Sequence, residues 1–288
     1  GNLVAGGAGK TPTAIAVLEA LAARGIAAHA LSRGHGGRAR GPRRVDPERD
    51  AAREVGDEAL LLAAFAPCWV ARDRAAGARA AAEAGAEAVV LDDGFQSPSV
   101  AKDLSILVVD AEQGFGNGRL IPAGPLRERV EAGLARADAA VLIGPEPAAK
   151  ATLARWPELA ARALLRARIA PLATGLPLAG EAVVAFAGIG RPEKFFATLR
   201  GLGARLVSAR AFPDHAPYPP RILRRLSEEA RRAGAMLVTT EKDAARLPPA
   251  FRREALALPV RLVPEDPEAF DALLRRAFER NPPESGHI

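Results

Sequence analysis

The chain has 288 residues, 49% of them hydrophobic and 26% charged, enough to bury a full core in one large or two modest domains. Its formal net charge of +6 favours anionic partners, while aromatics at 5% and the lack of basic runs with interleaved aromatic residues speak against nucleic acid. The single cysteine, Cys68, excludes an internal disulfide and fits a reducing compartment, and no run of 18 or more apolar residues is present to span a membrane.

In chain order, the first informative element is Gly6-Gly7-Ala8-Gly9-Lys10-Thr11-Pro12. Glycines without Cβ atoms let backbone N–H groups close around phosphate oxygens, Lys10 reaches toward the β/γ phosphates, and the Thr11 hydroxyl can ligate Mg²⁺. The usual phosphate loop has a glycine six residues before its lysine; here that position is Val4, so the loop is a compressed variant. The chain opens inside what should be the strand feeding this loop, so an upstream segment is expected.

Apolar runs without polar alternation then predict strands at 27–31, 68–71, 88–91, 105–109 and 139–143. Helices are predicted between them at 13–24, 56–65, 74–84 and 126–137. This alternation predicts an α/β fold, a P-loop kinase-like parallel sheet with helices on both faces, whose ligands bind beyond the strand C-termini. After the Pro/Gly-rich stretch 170–180, a second, smaller α/β unit is predicted. Its strands are 182–186, 204–209 and 235–239, its helices 193–202 and 220–233, and 281–288 is a polar tail. The division expected is a nucleotide-binding and catalytic domain at 1–175 and a smaller domain at 176–288 that closes over the cleft.

Several constellations add chemistry. Ala88-Val89-Val90-Leu91-Asp92-Asp93 has the form of a Walker B strand, and its carboxylates can hold Mg²⁺, although Asp-Asp-Gly is also an ordinary turn signal. Gly56-Asp57-Glu58 opens a helix and, taken alone, reads as an acidic start complementing the macrodipole. His215, after Phe212-Pro213-Asp214, lies in a loop where a histidine can be merely exposed or structurally bonded. The loop 117–128 carries Arg119 and Arg127 into a helix start and suits a lid or phosphate clamp, or a plain connector. Glu241-Lys242-Asp243 follows a strand end and can contact a nucleotide base or cap the next helix.

Together these segments resemble the tetraacyldisaccharide 4′-kinase family over nearly the whole chain. The resemblance rests on Gly6-Gly7-x-Gly9-Lys10-Thr11-Pro12, Leu31-Ser32-Arg33-Gly34, Gly56-Asp57-Glu58, Asp92-Asp93-Gly94-Phe95-Gln96, Phe115-Gly116-Asn117-Gly118-Arg119 and Pro122 through Glu128. In the second unit it rests on 185–190, Phe212-Pro213-Asp214-His215 and Thr240-Glu241-Lys242-Asp243. Two departures are visible: Ser97 stands where the family often has His, and His35 where Tyr is common. Neither is expected to touch a residue assigned to chemistry.

The resemblance implies transfer of the ATP γ-phosphate to the 4′-hydroxyl of a tetraacylated glucosamine disaccharide 1-phosphate, with Mg²⁺, at the cytoplasmic face of the bacterial inner membrane. It implies Asp57 as the base, His215 as its partner across the domain cleft, and Lys10 at the phosphates. Gly6 to Pro12 and Glu241, Lys242 and Asp243 would hold the nucleotide, Thr11, Asp92 and Asp93 the metal, and Arg119, Arg127, Asn117 and Gln96 the acceptor. A lipid disaccharide and an anionic membrane surface are the expected partners, with no nucleic acid and no protein partner. The alternatives are a P-loop GTPase or metallochaperone, disfavoured because no Asn-Lys-x-Asp guanine motif is present, and a non-enzymatic membrane module, which would leave Lys10, Thr11 and Asp92 without purpose.

Overall fold

The computed structural model describes residues 1–173 and 178–280. The expected boundary at 175–176 and the expected polar tail at 281–288 lie outside them. Among the described residues twelve strands form three four-stranded sheets. In the first, β1 (Ala28–Ser32) lies parallel between β3 (Cys68–Val70) and β4 (Ala88–Leu91), and the two-residue β2 (Arg43–Arg44) pairs antiparallel on the outer edge of β3. In a further sheet β5 (Ile106–Asp110), β6 (Ala139–Ile143) and β7 (Ala163–Pro171) run parallel. The remaining sheet is parallel throughout, with β8 (Ala182–Ala187) between β9 (Arg205–Ala211) and β10 (Met236–Thr240), and β11 (Ala255–Leu258) beyond β10.

The buried patterns explain the parallel arrangement. β1, β6 and β8 are buried at every residue, as strands covered by helices on both faces must be. The helix Lys10–Ala22 supplies Ile15, Leu18 and Leu21 to one core with Val55, Leu60, Leu62 and Cys68. Burial there, with the nearby Asp92 charge, pushes the Cys68 thiol up to about 12, which leaves it inert at neutral pH.

The chain's first residues are held by β5 on one side and by residues 125–127 on the other, through Ala5 N to Pro125 O and Arg127 N to Leu3 O, each 2.8 Å. The Gly1 amino group donates to Ile106 O at 3.1 Å and Val108 N donates to Gly1 O at 2.8 Å, so the phosphate loop departs alongside the end of β5.

The division of the chain differs from the sequence expectation at its far end. The strand β12 (Val260–Pro264) leaves the second unit and pairs antiparallel with β7. The helix Pro267–Arg280 follows it, placing Phe270, Leu273 and Leu274 in the core built on Val108, Val141 and Ile143. Residues 260–280 thus belong with the first unit. β12 is a five-residue edge strand ending in Pro264, too short a signal to assign to a sheet from sequence.

Candidate active site

The phosphate loop forms as its glycines dictate. Gly6 has φ +109° and Gly9 φ +89°, values that side chains rarely adopt, and a Cβ at Gly9 would run into Ile143. The helix starts at Lys10 itself, so Thr11 and Pro12 sit in its first turn, where a missing N–H has no carbonyl to satisfy. Lys10 Nζ donates to Gly6 O at 3.2 Å and stands 3.8 Å from Asp93 Oδ1. Gly6 and Gly7 are exposed at the mouth of the site, while Ala8 is buried.

At the end of β4 the two aspartates part company. Asp92 is buried, accepts a 3.1 Å hydrogen bond from the Thr11 hydroxyl on Oδ2, and leaves Oδ1 without a partner. Burial, reinforced by the Glu58 charge, pushes its carboxyl up to about 6. Asp93, at φ +50°, turns instead to Arg127, whose Nη1 lies 3.1 and 3.2 Å from its two oxygens. Burial raises the Asp93 carboxyl, but Lys10 and Arg127 together bring it below the usual carboxylate range. Of the two aspartates expected as metal ligands, Asp92 alone keeps a buried carboxylate oxygen without a partner.

Arg74 secures this turn, and nothing in the sequence marked it. It is buried, donating from Nη1 to Leu31 O at 3.2 Å and from Nη2 to Asp92 O at 3.1 Å. One guanidinium thereby ties the carboxyl ends of β1 and β4.

The second centre joins residues 158 positions apart. His215 Nδ1 lies 2.9 Å from Asp57 Oδ2. Asp57 opens the helix Asp57–Ala63 behind Gly56, which has φ +88°, and its Oδ1 accepts from Glu58 N at 3.0 Å. His215 itself sits at φ +58°, a strained setting of the kind that active sites retain. Burial raises the Asp57 carboxyl, but the hydrogen bond from His215 and the charges of Lys242, His215 and Arg246 bring it below its ordinary value. The same hydrogen bond holds the His215 imidazole above its ordinary value against burial. His35 packs edge-on against His215, ring centres 5.5 Å apart, so this departure from the family pattern does touch the chemistry.

In the Glu241-Lys242-Asp243 element each side chain is engaged by groups of the protein. Glu241 accepts from Val260 N at 3.1 Å and from Arg261 Nη1 at 3.0 Å. Asp243 has no exposed surface and takes hydrogen bonds from Gly188 N at 3.0 Å, the Tyr218 hydroxyl at 2.7 Å and the Thr240 hydroxyl at 2.6 Å, together with Arg246. A residue without exposed surface cannot meet a base. Lys242 turns to the Asp57–His215 centre, 3.3 Å from His215 Nε2. Arg246, absent from the sequence expectations, bridges this hub to the centre, with Nε 3.7 Å from Asp57 Oδ2.

The remaining expected acceptor residues divide. Asn117 is spent inside its own loop, donating to Ala123 O at 2.9 Å and accepting from Arg119 N at 3.0 Å. Gln96 donates to Asn2 O at 2.8 Å and to Glu128 Oε1 at 3.0 Å, bracing the loop against the chain start. Arg119 is exposed beside Leu120 and Ile121, and Arg127 faces Asp93. The second unit also reaches the phosphate loop: a Cβ on Gly190 would come within 3.9 Å of Gly7 N. Arg191 and Lys194 clasp Asp110 at the end of β5, the lysine at 3.2 Å.

A compressed phosphate loop beside an acidic strand end, on a parallel sheet covered by helices, defines a P-loop kinase fold. Comparison with known proteins narrows this. The model of the family described as tetraacyldisaccharide-1-P 4′-kinase matches residues 1–279, and the chain belongs to that family. It is 59% identical over 280 residues to a tetraacyldisaccharide 4′-kinase of Dinoroseobacter shibae, covering 96% of this chain and 83% of that one. It is 57% identical over 275 residues to the protein of that name from Rhodospirillum centenum, covering 95% and 80%. Among solved structures it resembles LpxK from Aquifex aeolicus in complex with ATP, with a TM-score of 0.74 and 26% identity over 96% of this chain and 87% of that one.

Proposed function

We propose that the chain is a tetraacyldisaccharide 4′-kinase, an enzyme that moves the γ-phosphate of ATP to the 4′-hydroxyl of a tetraacylated disaccharide 1-phosphate in lipid A biosynthesis. The observation that carries this reading is the meeting of Asp57 and His215 at 2.9 Å between the two units, beside the phosphate loop: Gly190 lies close to both Asp214 and Gly7, and the Glu58 charge acts on Asp92. Family membership supplies the acceptor; the site supplies the parts that phosphoryl transfer needs, namely positioning, charge neutralisation and a base.

Asp57 accepts the proton of the 4′-hydroxyl as its oxygen bonds to the γ-phosphorus. The bond from that phosphorus to the bridging oxygen breaks, its electron pair stays on the β-phosphate, and ADP leaves. His215 and Arg246 hold the Asp57 carboxylate in its charged form, and its 3% side-chain exposure keeps water from competing for it. Lys10 and the backbone N–H groups of Gly7 to Thr11 offset charge on the transferring group. Asp92 and Thr11 fit a hard divalent cation: a buried carboxylate oxygen without a partner, beside a hydroxyl, is a donor set for Mg²⁺, which keeps waters and phosphate oxygens as its other ligands. When bound there, Mg²⁺ supplies charge neutralisation at the phosphoryl oxygens.

The same reading extends to the membrane. An acceptor with four acyl chains brings its sugar to the site only if the protein works against a bilayer, and ATP puts that work on the cytoplasmic face of the inner membrane. Support comes from the loop beside the site, where Leu120 and Ile121 are 43% and 56% exposed next to Arg119, and from the net charge of +6.

The test is nucleotide consumption with purified protein, ATP or GTP, and the lipid disaccharide acceptor. ADP release that requires the acceptor is the expected result; GTP turnover without acceptor supports the GTPase alternative instead.

A further inference from the structure

Lys242 belongs to the second centre, and the proposed reaction gives it no role. Its ammonium lies within hydrogen-bond reach of Glu58 Oε1 at 3.5 Å and His215 Nε2 at 3.3 Å, and Asp214 Oδ1 stands in ion-pair range at 3.6 Å. A lysine ammonium only donates. Its contact with Nε2 therefore requires a bare lone pair on that nitrogen, and the ring proton must lie on Nδ1, where it points at Asp57 Oδ2.

We propose that Lys242 is a positioning residue which fixes His215 in the Nδ1–H tautomer and, by occupying Nε2, leaves Asp57 rather than the imidazole as the base. The inference rests on the proposed kinase reading for the meaning of "base", but the tautomer lock stands on geometry alone. A histidine paired with a buried aspartate is otherwise free to serve as the proton acceptor through its outer nitrogen, with the carboxylate merely orienting it. Here the outer nitrogen faces a cation.

Among the described residues, the charges facing the ring come from two helices and one loop. Asp57 and Glu58 approach from the helix Asp57–Ala63, Lys242 and Arg246 from the helix Glu241–Arg246, and Asp214 from the adjoining loop, 3.7 Å from Nε2. The His35 ring covers another side. Against the raising effect of Asp57 and Asp214, the Lys242 charge lowers the imidazole's affinity for a second proton. Its removal frees Nε2 to take that proton and pair with Asp214.

The experiment uses the whole chain with nitrogen-15-labelled histidine, the His215 signals being assigned by loss in His215→Gln. In the wild type above the midpoint of the His215 titration, Nδ1 is expected to carry the proton and Nε2 to show a bare, hydrogen-bonded lone pair. Lys242→Met is expected to raise the midpoint of the His215 titration by about one pH unit, as loss of a like charge at this range does; Lys242→Arg keeps it low. Activity gives a second readout, in which the acidic limb of the Lys242→Met rate profile moves up with the midpoint. A wild type holding its proton on Nε2 overturns the inference without any variant, as does a Lys242→Met titration that matches the wild type. Failure of the kinase reading is distinguishable, since absent transfer to the lipid acceptor leaves the tautomer measurement unaffected.

Discussion

The Thr11 hydroxyl donates to Asp92 Oδ2 at 3.1 Å, while the other oxygen of that buried carboxylate has no hydrogen-bond partner. An orphaned carboxylate oxygen in an interior is costly, and a site that retains one is shaped for something that binds there. Asp92→Asn is therefore expected to abolish the rise in melting temperature that Mg²⁺ with a non-hydrolysable ATP analogue gives the wild type. Asp93→Asn is expected to keep most of it, because Asp93 is held by Arg127 and Lys10. Equal losses in the two variants would contradict the assignment of the metal to Asp92.

Lys10 is poised at the loop mouth, between Gly6 O at 3.2 Å and Asp93 Oδ1 at 3.8 Å. Lys10→Ala removes the charge that meets the transferring phosphate and is expected to lower the turnover rate by a factor of about 10² or more. Steady-state rates at saturating ATP measure this; activity within threefold of wild type refutes the role.

The Asp57–His215 pair also makes stability depend on pH in a calculable direction. The Asp57 carboxyl is held below its free value of 3.8, so its contribution is present above that pH and is lost as pH falls through the lower folded value. The His215 imidazole is held above its free value of 6.5, so its contribution is present below 6.5 and fades as pH rises through the raised folded value. The melting-temperature deficit of His215→Ala relative to wild type is expected to be largest between these two free values and to shrink on either side. A deficit that does not vary with pH would show that the two groups do not form a charged pair.

Asp243 is a structural hub, wholly buried with Gly188 N, Tyr218, Thr240 and Arg246 around it. Asp243→Ala leaves a buried guanidinium and a phenol without their acceptor, and is expected to cost about 3–5 kcal/mol by urea unfolding. Lys242→Ala, on the same helix but 21% exposed, is expected to cost far less. A mild Asp243→Ala would mean that the hub is not what holds the second unit's site loop.

How much of this was readable beforehand follows the physics of each signal. The strand 88–91 and the strand 139–143 stood in the sequence to the residue, because unbroken apolar runs bounded by polar turns have few alternatives. The phosphate loop was equally plain, since glycine, lysine and threonine there answer a local backbone need. The neighbours of Glu241, Lys242 and Asp243 are not legible in the sequence, because side chains on successive helix positions face different directions and spacing alone does not say which neighbour each meets. Arg74 and Arg246 carried no local mark at all. Their partners are carbonyls and carboxylates brought near by the fold, and one arginine among many gives no hint of that. The strand β7 (Ala163–Pro171) has no clear sequence signal, because Arg166 and Arg168 interrupt its apolar character near an edge covered only by β12.

Docking to membranes has its own expected outcome. With Arg119 and the exposed Leu120–Ile121 tip beside the site and a net charge of +6, these 288 residues are expected to sediment with anionic vesicles at low salt. They are expected to leave them near 0.5 M salt, where the Debye length is about 4 Å. Salt-resistant binding would place the weight on the apolar tip instead, and Ile121→Asp would then release it; no binding at low salt removes the basic-face reading.

The most direct measurement of the central claim is transfer of labelled γ-phosphate from ATP to tetraacyldisaccharide 1-phosphate, run beside an acceptor lacking the 4′-hydroxyl, with wild type and Asp57→Asn. The account predicts a bisphosphorylated lipid labelled at the 4′-position with the wild type, none with the deoxy acceptor, and a rate at least 10² lower with Asp57→Asn while ATP affinity is kept. Label appearing on the deoxy acceptor, or full transfer by Asp57→Asn, would contradict it.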